Sequence, residues 1–232
     1  MKSRSTAISA SLTLMLGTIL LAGCSEKVPG PQADNTARAS PQASIPADEP
    51  VARVASLVGP SVVQVNVRAV RETPLGTQRG EGLGSGVIYR SDGYIVTNNH
   101  VIEGATGVNV AFADGTIEDA SIVGTDPNTE IAVIKVNRNG LPAATFDDGD
   151  APVVGQLAVA IGSPSGFEST VTSGVVSGVG REFPPELTLG GTAARSALTD
   201  LIQTDAAISP GNSGGALADR DGEIIGINVA YL

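Results

Sequence analysis

Residues 202–215 read Ile202-Gln203-Thr204-Asp205-Ala206-Ala207-Ile208-Ser209-Pro210-Gly211-Asn212-Ser213-Gly214-Gly215. Ser213 stands between Gly211 and the pair Gly214-Gly215. Glycine reaches backbone angles closed to other residues and lets another segment or a ligand come close. A nucleophilic serine needs such surroundings. Its hydroxyl must project from a tight turn, and backbone N–H groups must converge where an oxyanion will form. The N–H groups of Gly211 and Ser213 are placed to supply that pair, with Asn212 between them in the same expected oxyanion hole. Taken alone, the pattern equally describes a glycine-rich turn holding an ordinary serine.

The order of residues along the chain narrows the chemistry. In one serine-hydrolase arrangement with a Gly-x-Ser-x-Gly turn, the acid and the histidine follow the serine. Here the single histidine, His100, precedes Ser213. The remaining order is histidine, acid, serine. Ser213 is unreactive unless a base takes its proton. His100 is the side chain whose ordinary titration range suits that task.

Four separated segments carry a resemblance: Thr97-Asn98-Asn99-His100-Val101, Gly162-Ser163-Pro164, Thr170-Val171-Thr172-Ser173-Gly174-Val175-Val176-Ser177, and Thr204 through Gly215. In that order they resemble the HtrA/Deg family of trypsin-like serine proteases, from about Val51 to the end. The resemblance implies an all-β, chymotrypsin/trypsin-like double β-barrel with the active site in the cleft between barrels. It implies a His-acid-Ser mechanism needing no cofactor and no metal. It also implies unfolded or misfolded protein substrates and a homotrimer. Beyond the strand around Ile224 to Val229 the family continues with another strand, a helix and usually a PDZ domain. A chain ending at Leu232 is therefore expected to carry an incomplete second barrel and no PDZ domain.

The third catalytic member departs from the family pattern, Asp-x-x-Thr-Asp. Here it reads Asp126-Pro127-Asn128-Thr129-Glu130. Glu130 is one methylene longer than aspartate, so on a fixed backbone its carboxylate overshoots or must fold back. Asp126 is the fallback acid, but is better suited to capping a turn. The expectation is an active, weakened serine endopeptidase. The alternative is an inactive, chaperone-like binder of unfolded chains. Relatives that cut after Lys or Arg carry an acid six positions before the serine, where this chain has Ala207. A pocket floored by Ala207 and Ile208 predicts small or medium aliphatic side chains at the cleaved residue.

Residues 1–23 read as a signal peptide. Lys2 and Arg4 open an apolar run that ends in Leu21-Ala22-Gly23-Cys24. The closing tetrapeptide resembles the bacterial lipoprotein box, which implies a lipid on Cys24. Cys24 is the only cysteine, so no disulfide can form within the chain. Residues 24–50 are rich in Ser, Pro, Ala, Gln and Asp and read as a flexible tether. The chain is thus expected in the bacterial cell envelope, periplasmic or extracytoplasmic, held at a membrane by its lipid. The net charge of −10 excludes a general nucleic-acid binder.

From Val51 on, the pattern is β. Val51, Val54, Ala55 and Val58 have helical spacing, stopped by Gly59-Pro60. Val63, Val65 and Val67 alternate with polar residues, as in a half-buried strand. Ser91-Asp92-Gly93, Asp114-Gly115 and Asp221-Gly222 mark hairpin turns between apolar runs. Glu72 to Glu81 and Arg181 to Ala197 are polar and read as loops. Residues 51–145 are expected to form the first barrel and residues 146–232 the second.

Overall fold

The computed structural model describes residues 45–229 except 47, 74–75, 150, 164–169 and 184–197, with residues 71–73, 76–79 and 183 described by backbone alone. The expected signal peptide, Cys24 and most of the tether lie outside the described residues. So do Pro164 and most of the expected loop from Arg181 to Ala197.

The helical spacing at the start forms α1 (Pro50–Val58). Its proline sits in the first turn, where a missing N–H breaks no helical bond. The Gly59–Ser61 turn follows, and the chain then enters a sheet. Six strands close into a barrel in the order β1-β2-β3-β6-β5-β4. They are β1 (Val62–Thr73), β2 (Gly76–Ile88), β3 (Tyr94–Asn98), β4 (Ala105–Ala111), β5 (Ile117–Asp126) and β6 (Ile131–Val136), with a short helix, α2 (Asn99–Ile102), after β3. The period-two pattern turns Val63, Val65 and Val67 inward, where they meet Ile95, Val110 and Ile134. The turns fall where Asp-Gly pairs stand, and Gly93, Gly115 and Gly222 each take positive φ.

One expected loop is a strand pair. Glu72 to Glu81 is the far end of the β1–β2 hairpin, which stays in register to Thr73↔Gly76. Pairing of β1 with β4 stops at Ala69. Beyond that point the ribbon is held by its own backbone bonds and borders no barrel interior. A hydrophobic pattern cannot report such a ladder.

The second half is a curled five-stranded sheet in the order β11-β10-β7-β8-β9. Its strands are β7 (Leu157–Gly162), β8 (Thr170–Phe183), β9 (Leu198–Thr204), β10 (Ala216–Ala218) and β11 (Ile224–Ile227). The fold is therefore an all-β double barrel whose second member is an open half-barrel. Strand β7 is apolar throughout because it is covered on both faces. Val159 and Ile161 enter one core, while Ala158 and Ala160 enter another with Val176 and Leu217.

The core containing Val159 and Ile161 joins the two halves. It takes Val54 and Val58 from α1, and Val62 and Val87 from a cross-strand pair of the first barrel. α1 therefore packs on the second sheet, although it precedes the first barrel in sequence. Arg53 reinforces this by donating to the Arg220 carbonyl at 2.8 Å. Among the described residues no helix is long and apolar enough to cross a membrane.

Burial separates the isoleucines sharply. Ile134 is fully buried, whereas Ile117 is 61% exposed. Ile134→Ala should lower the unfolding free energy in urea by about 2–5 kcal/mol. Ile117→Ala should stay within about 0.5 kcal/mol of the parent.

Candidate active site

Thr97-Asn98-Asn99-His100 spans the junction of β3 and α2, and every residue in it makes a specific bond. The Thr97 hydroxyl donates to the Ser85 carbonyl at 2.7 Å. The Asn98 side-chain amide and the Asn99 N–H both donate to the Glu130 carbonyl, at 3.1 and 3.0 Å. The His100 N–H donates to Glu130 Oε2 at 3.1 Å, and His100 Nδ1 lies 2.7 Å from the same oxygen. Three consecutive residues thus grip one glutamate.

Glu130 sits in the turn between β5 and β6 with φ 58°. Left-handed backbone costs an ordinary residue about 1–2 kcal/mol. Here it is held by the two donors on its carbonyl and the two on its carboxylate. The longer side chain neither overshoots nor loses the imidazole: one oxygen serves both His100 donors. With a carboxylate against Nδ1, that nitrogen carries the proton and Nε2 is left as the basic one. Glu130 is 7% exposed at its side chain and His100 34%, so the pair is shielded on the acid side and open on the imidazole side. Asp126, the fallback acid, accepts from the Asn128 N–H at 2.9 Å and caps the turn.

Ser213 lies in a loop shaped by neighbours on both halves. Ser209-Pro210-Gly211-Asn212 is a turn closed by the Asn212 N–H on the Ser209 carbonyl at 3.0 Å. Pro210 suits its second position, and Gly211, at φ 96°, its third. The Asn212 N–H is therefore committed to the turn. Beyond Ser213, the Gly214 N–H donates to the Asn228 carbonyl and the Asn228 N–H to the Gly215 carbonyl, each at 2.8 Å. On the side of the first barrel, the Ser85 N–H donates to the Ser213 carbonyl at 2.8 Å. The Ser85 hydroxyl donates to the Gly211 carbonyl at 2.6 Å.

Two glycines make this approach possible. A Cβ on Gly214, whose φ is 85°, would collide with the Ser85 carbonyl and the Thr97 hydroxyl. A Cβ on Gly162 would stand 2.5 Å from the Asn212 side-chain oxygen. The Ser213 loop also lies close to α2. A Cβ on Gly84 would meet Val101, the neighbour of His100, at 2.7 Å and the Ser213 carbonyl at 3.2 Å. Val101, which follows His100 in α2, and the Ser213 carbonyl thus stand against the same position of β2.

A cavity of about 850 Å³ opens beside the loop, lined on its apolar part by Ala206, Ile208, Leu217, Ile225 and Ile227. Ile208 lines it. Ala207 does not: it is exposed, and its carbonyl accepts from the Thr172 hydroxyl at 2.8 Å. Ala206, 5% exposed, faces inward instead. The shift of one residue follows from how the segment is fastened to β8. Asp205 accepts from the Val175 N–H at 2.7 Å, and the Thr204 hydroxyl donates to the Val175 carbonyl at 2.8 Å. Arg181, Glu182 and Asp200 also line the cavity, near the Arg181↔Leu201 end of the β8–β9 pair rather than the Val176↔Thr204 end. Among the described residues, no group of three or more His, Cys, Asp or Glu could hold a metal ion.

Residues 84–227 match the model of the trypsin-like peptidase domain. The chain belongs to that family. Its relatives include the periplasmic serine endoprotease DegP of Escherichia coli, 49% identical over 157 residues that cover 67% of this chain and 31% of DegP. They also include the putative serine protease HhoB of Synechocystis sp., 38% identical over 200 residues covering 78% and 47%. Among solved structures, the HtrA-type protease AlgW with a decapeptide superposes with a TM-score of 0.63 at 38% identity, covering 78% of this chain and 58% of that one. This trypsin-like peptidase domain is thus of HtrA type, and it spans less than half the length of these two curated relatives.

Ser85 and Asn228 had no motif to announce them. Ser85 stands in Gly84-Ser85-Gly86, and the flanking glycines were the available signal. Gly214→Ala in this domain should cost on the order of 2 kcal/mol or more in urea unfolding, through both the strained φ and the collision. Gly104→Ala, where a Cβ meets nothing within 4 Å, carries only the φ term and should cost less.

Proposed function

We infer that the chain is a serine endopeptidase acting through Ser213, His100 and Glu130. The observation that carries this reading is the 2.7 Å contact between His100 Nδ1 and Glu130 Oε2, in a segment whose next residue, Val101, stands against Gly84 together with the Ser213 carbonyl. Ser213 Oγ attacks the scissile carbonyl carbon while His100 Nε2 takes its proton. The oxyanion is received by the Gly211 and Ser213 N–H groups. The imidazolium then protonates the leaving amine, and water, deprotonated by the same nitrogen, releases the acyl group. Glu130, facing Nδ1, holds the imidazole in the tautomer that leaves Nε2 to act as the base. The alternative of an inactive binder drew part of its motive from Glu130, and the 2.7 Å contact to His100 weighs against that part.

Substrate choice follows from the cavity wall. Ala206 and Ile208 offer no charge to a lysine or arginine, so cleavage is proposed after small or medium aliphatic residues. AlgW, a protein of related fold, carries bound peptides, which supports an extended polypeptide as the ligand class. The natural substrates proposed are unfolded or damaged envelope proteins. The periplasmic designation of DegP supports an extracytoplasmic site of action. We further propose removal of residues 1–23, lipidation at Cys24, a tether to residue 50 and assembly into a homotrimer.

A fluorophosphonate should label Ser213, and Ser213→Ala should abolish labelling. Glu130→Ala should lower kcat on an unfolded protein substrate by about four decades, the scale of losing the orienting acid. An unchanged rate in Glu130→Ala removes Glu130 from the mechanism. Mass-spectrometric mapping of cleaved sites should show aliphatic residues on the acyl side, and a map dominated by Lys and Arg refutes the proposed pocket.

A further inference from the structure

Ser85 is fully buried, belongs to the first barrel, and bonds to parts of the proposed site through its N–H, its carbonyl and its hydroxyl. Its N–H meets the Ser213 carbonyl at 2.8 Å and its carbonyl receives the Thr97 hydroxyl at 2.7 Å. Its own hydroxyl donates to the Gly211 carbonyl at 2.6 Å and accepts from the Ser163 N–H at 2.8 Å. The last two partners both belong to the second half, one in the loop of Ser213 and one at the end of β7. A strand of one barrel therefore inserts a single hydroxyl between two backbone groups of the other.

We propose that the Ser85 hydroxyl is a positioning group for the nucleophile loop. It fixes the peptide that joins Gly211 to Asn212 and, through the peptides on either side, the direction of the Gly211 and Ser213 N–H groups. The inference rests on the endopeptidase reading of Ser213. It assigns Ser85 no contact with substrate. A hydroxyl suits this place because it donates and accepts at once within one small side chain. Alanine does neither, and would take this partner from the part-buried Gly211 carbonyl and from the buried Ser163 N–H. That penalty falls on the loop itself. The flanks are equally constrained, since a Cβ on Gly84 would strike Val101 and one on Gly86 would stand 2.7 Å from Ile95. Gly84-Ser85-Gly86 thus fits closely between α2, the barrel interior and the Ser213 loop.

The test compares Ser85→Ala, Ser85→Cys and Ser85→Thr in the full chain. Cysteine fills similar space with a weak donor, and threonine keeps the hydroxyl. On a fluorogenic peptide with an aliphatic cleaved residue, Ala and Cys should lose 10- to 100-fold in kcat with KM within threefold. A peptide aldehyde, whose adduct with Ser213 places its oxygen in the proposed hole, should lose affinity by the same factor. Threonine should recover most of both. Hydrogen exchange should quicken at least tenfold at Ser163 and across residues 209–214 in Ser85→Ala, while Val65 and Ile95 keep their protection. Parent-like kcat in both Ala and Cys overturns the proposal, as does a uniform rise in exchange across both halves. Absence of turnover in the parent chain counts against the endopeptidase reading instead, and the exchange pattern then decides the role of Ser85 by itself.

Discussion

The backbone of the Ser213 loop lies against a strand of the other barrel, with no side chain between them at Gly214. Everything distinctive in the site follows from that approach. Buried N–H and C=O groups must be paired, because leaving one unpaired costs about 1–3 kcal/mol. The loop meets that demand by borrowing partners from Ser85, Asn228 and Ser209 rather than from a regular ladder. A loop so held has few alternatives open to it. Gly214 and Gly215 are the consequence: where a Cβ would stand, a carbonyl or a hydroxyl of the neighbouring segment already stands.

The acid is held by a different balance. A carboxylate that is 7% exposed forgoes most of its hydration, and such a loss needs hydrogen-bonded compensation. Glu130 receives two N–H groups from His100 on one oxygen, while its left-handed backbone is anchored by Asn98 and Asn99. Each bond is worth about 0.5–1.5 kcal/mol net. Together they exceed the 1–2 kcal/mol of conformational strain. The turn therefore persists, and a glutamate can stand where relatives of this pattern use aspartate. The deciding variable is backbone conformation at residue 130, which side-chain length alone does not reveal.

Much of the architecture was legible because burial leaves a periodic trace. The valines of β1, the apolar run of β7 and the Asp-Gly turns each follow from one-sided burial, two-sided burial or positive φ. What escaped reading left no such trace. The ribbon from Glu72 to Glu81 is a ladder of backbone bonds. Ala207 and Ala206 are chemically identical, and only the lacing of Thr204 and Asp205 onto β8 decides which faces the cavity. The Asn98–Glu130 and Ser85–Gly211 contacts join residues far apart in sequence, so no local spacing could encode them. The packing of α1 on the second sheet was hidden likewise: its apolar face announces burial but not the partner.

The joint between the halves bears on chemistry as well as stability. The Ser213 loop takes its bonds from Ser85 on one side and from Asn228 on the other, while the imidazole and its acid belong wholly to the first barrel. A slide of one half over the other by 1 Å would carry these bonds out of the 2.7–3.2 Å range in which they are strong, and displacements of that size weigh heavily on reaction rates. What resists such a slide is the core of Val54, Val58, Val62, Val87, Val159 and Ile161. These side chains are all β-branched, with few rotamers to exchange, and close-packed interiors deform little. The register of the two halves is thus set by a seam of stiff aliphatic residues, and the polar network across the joint can be sparse because the seam has already removed the larger freedom.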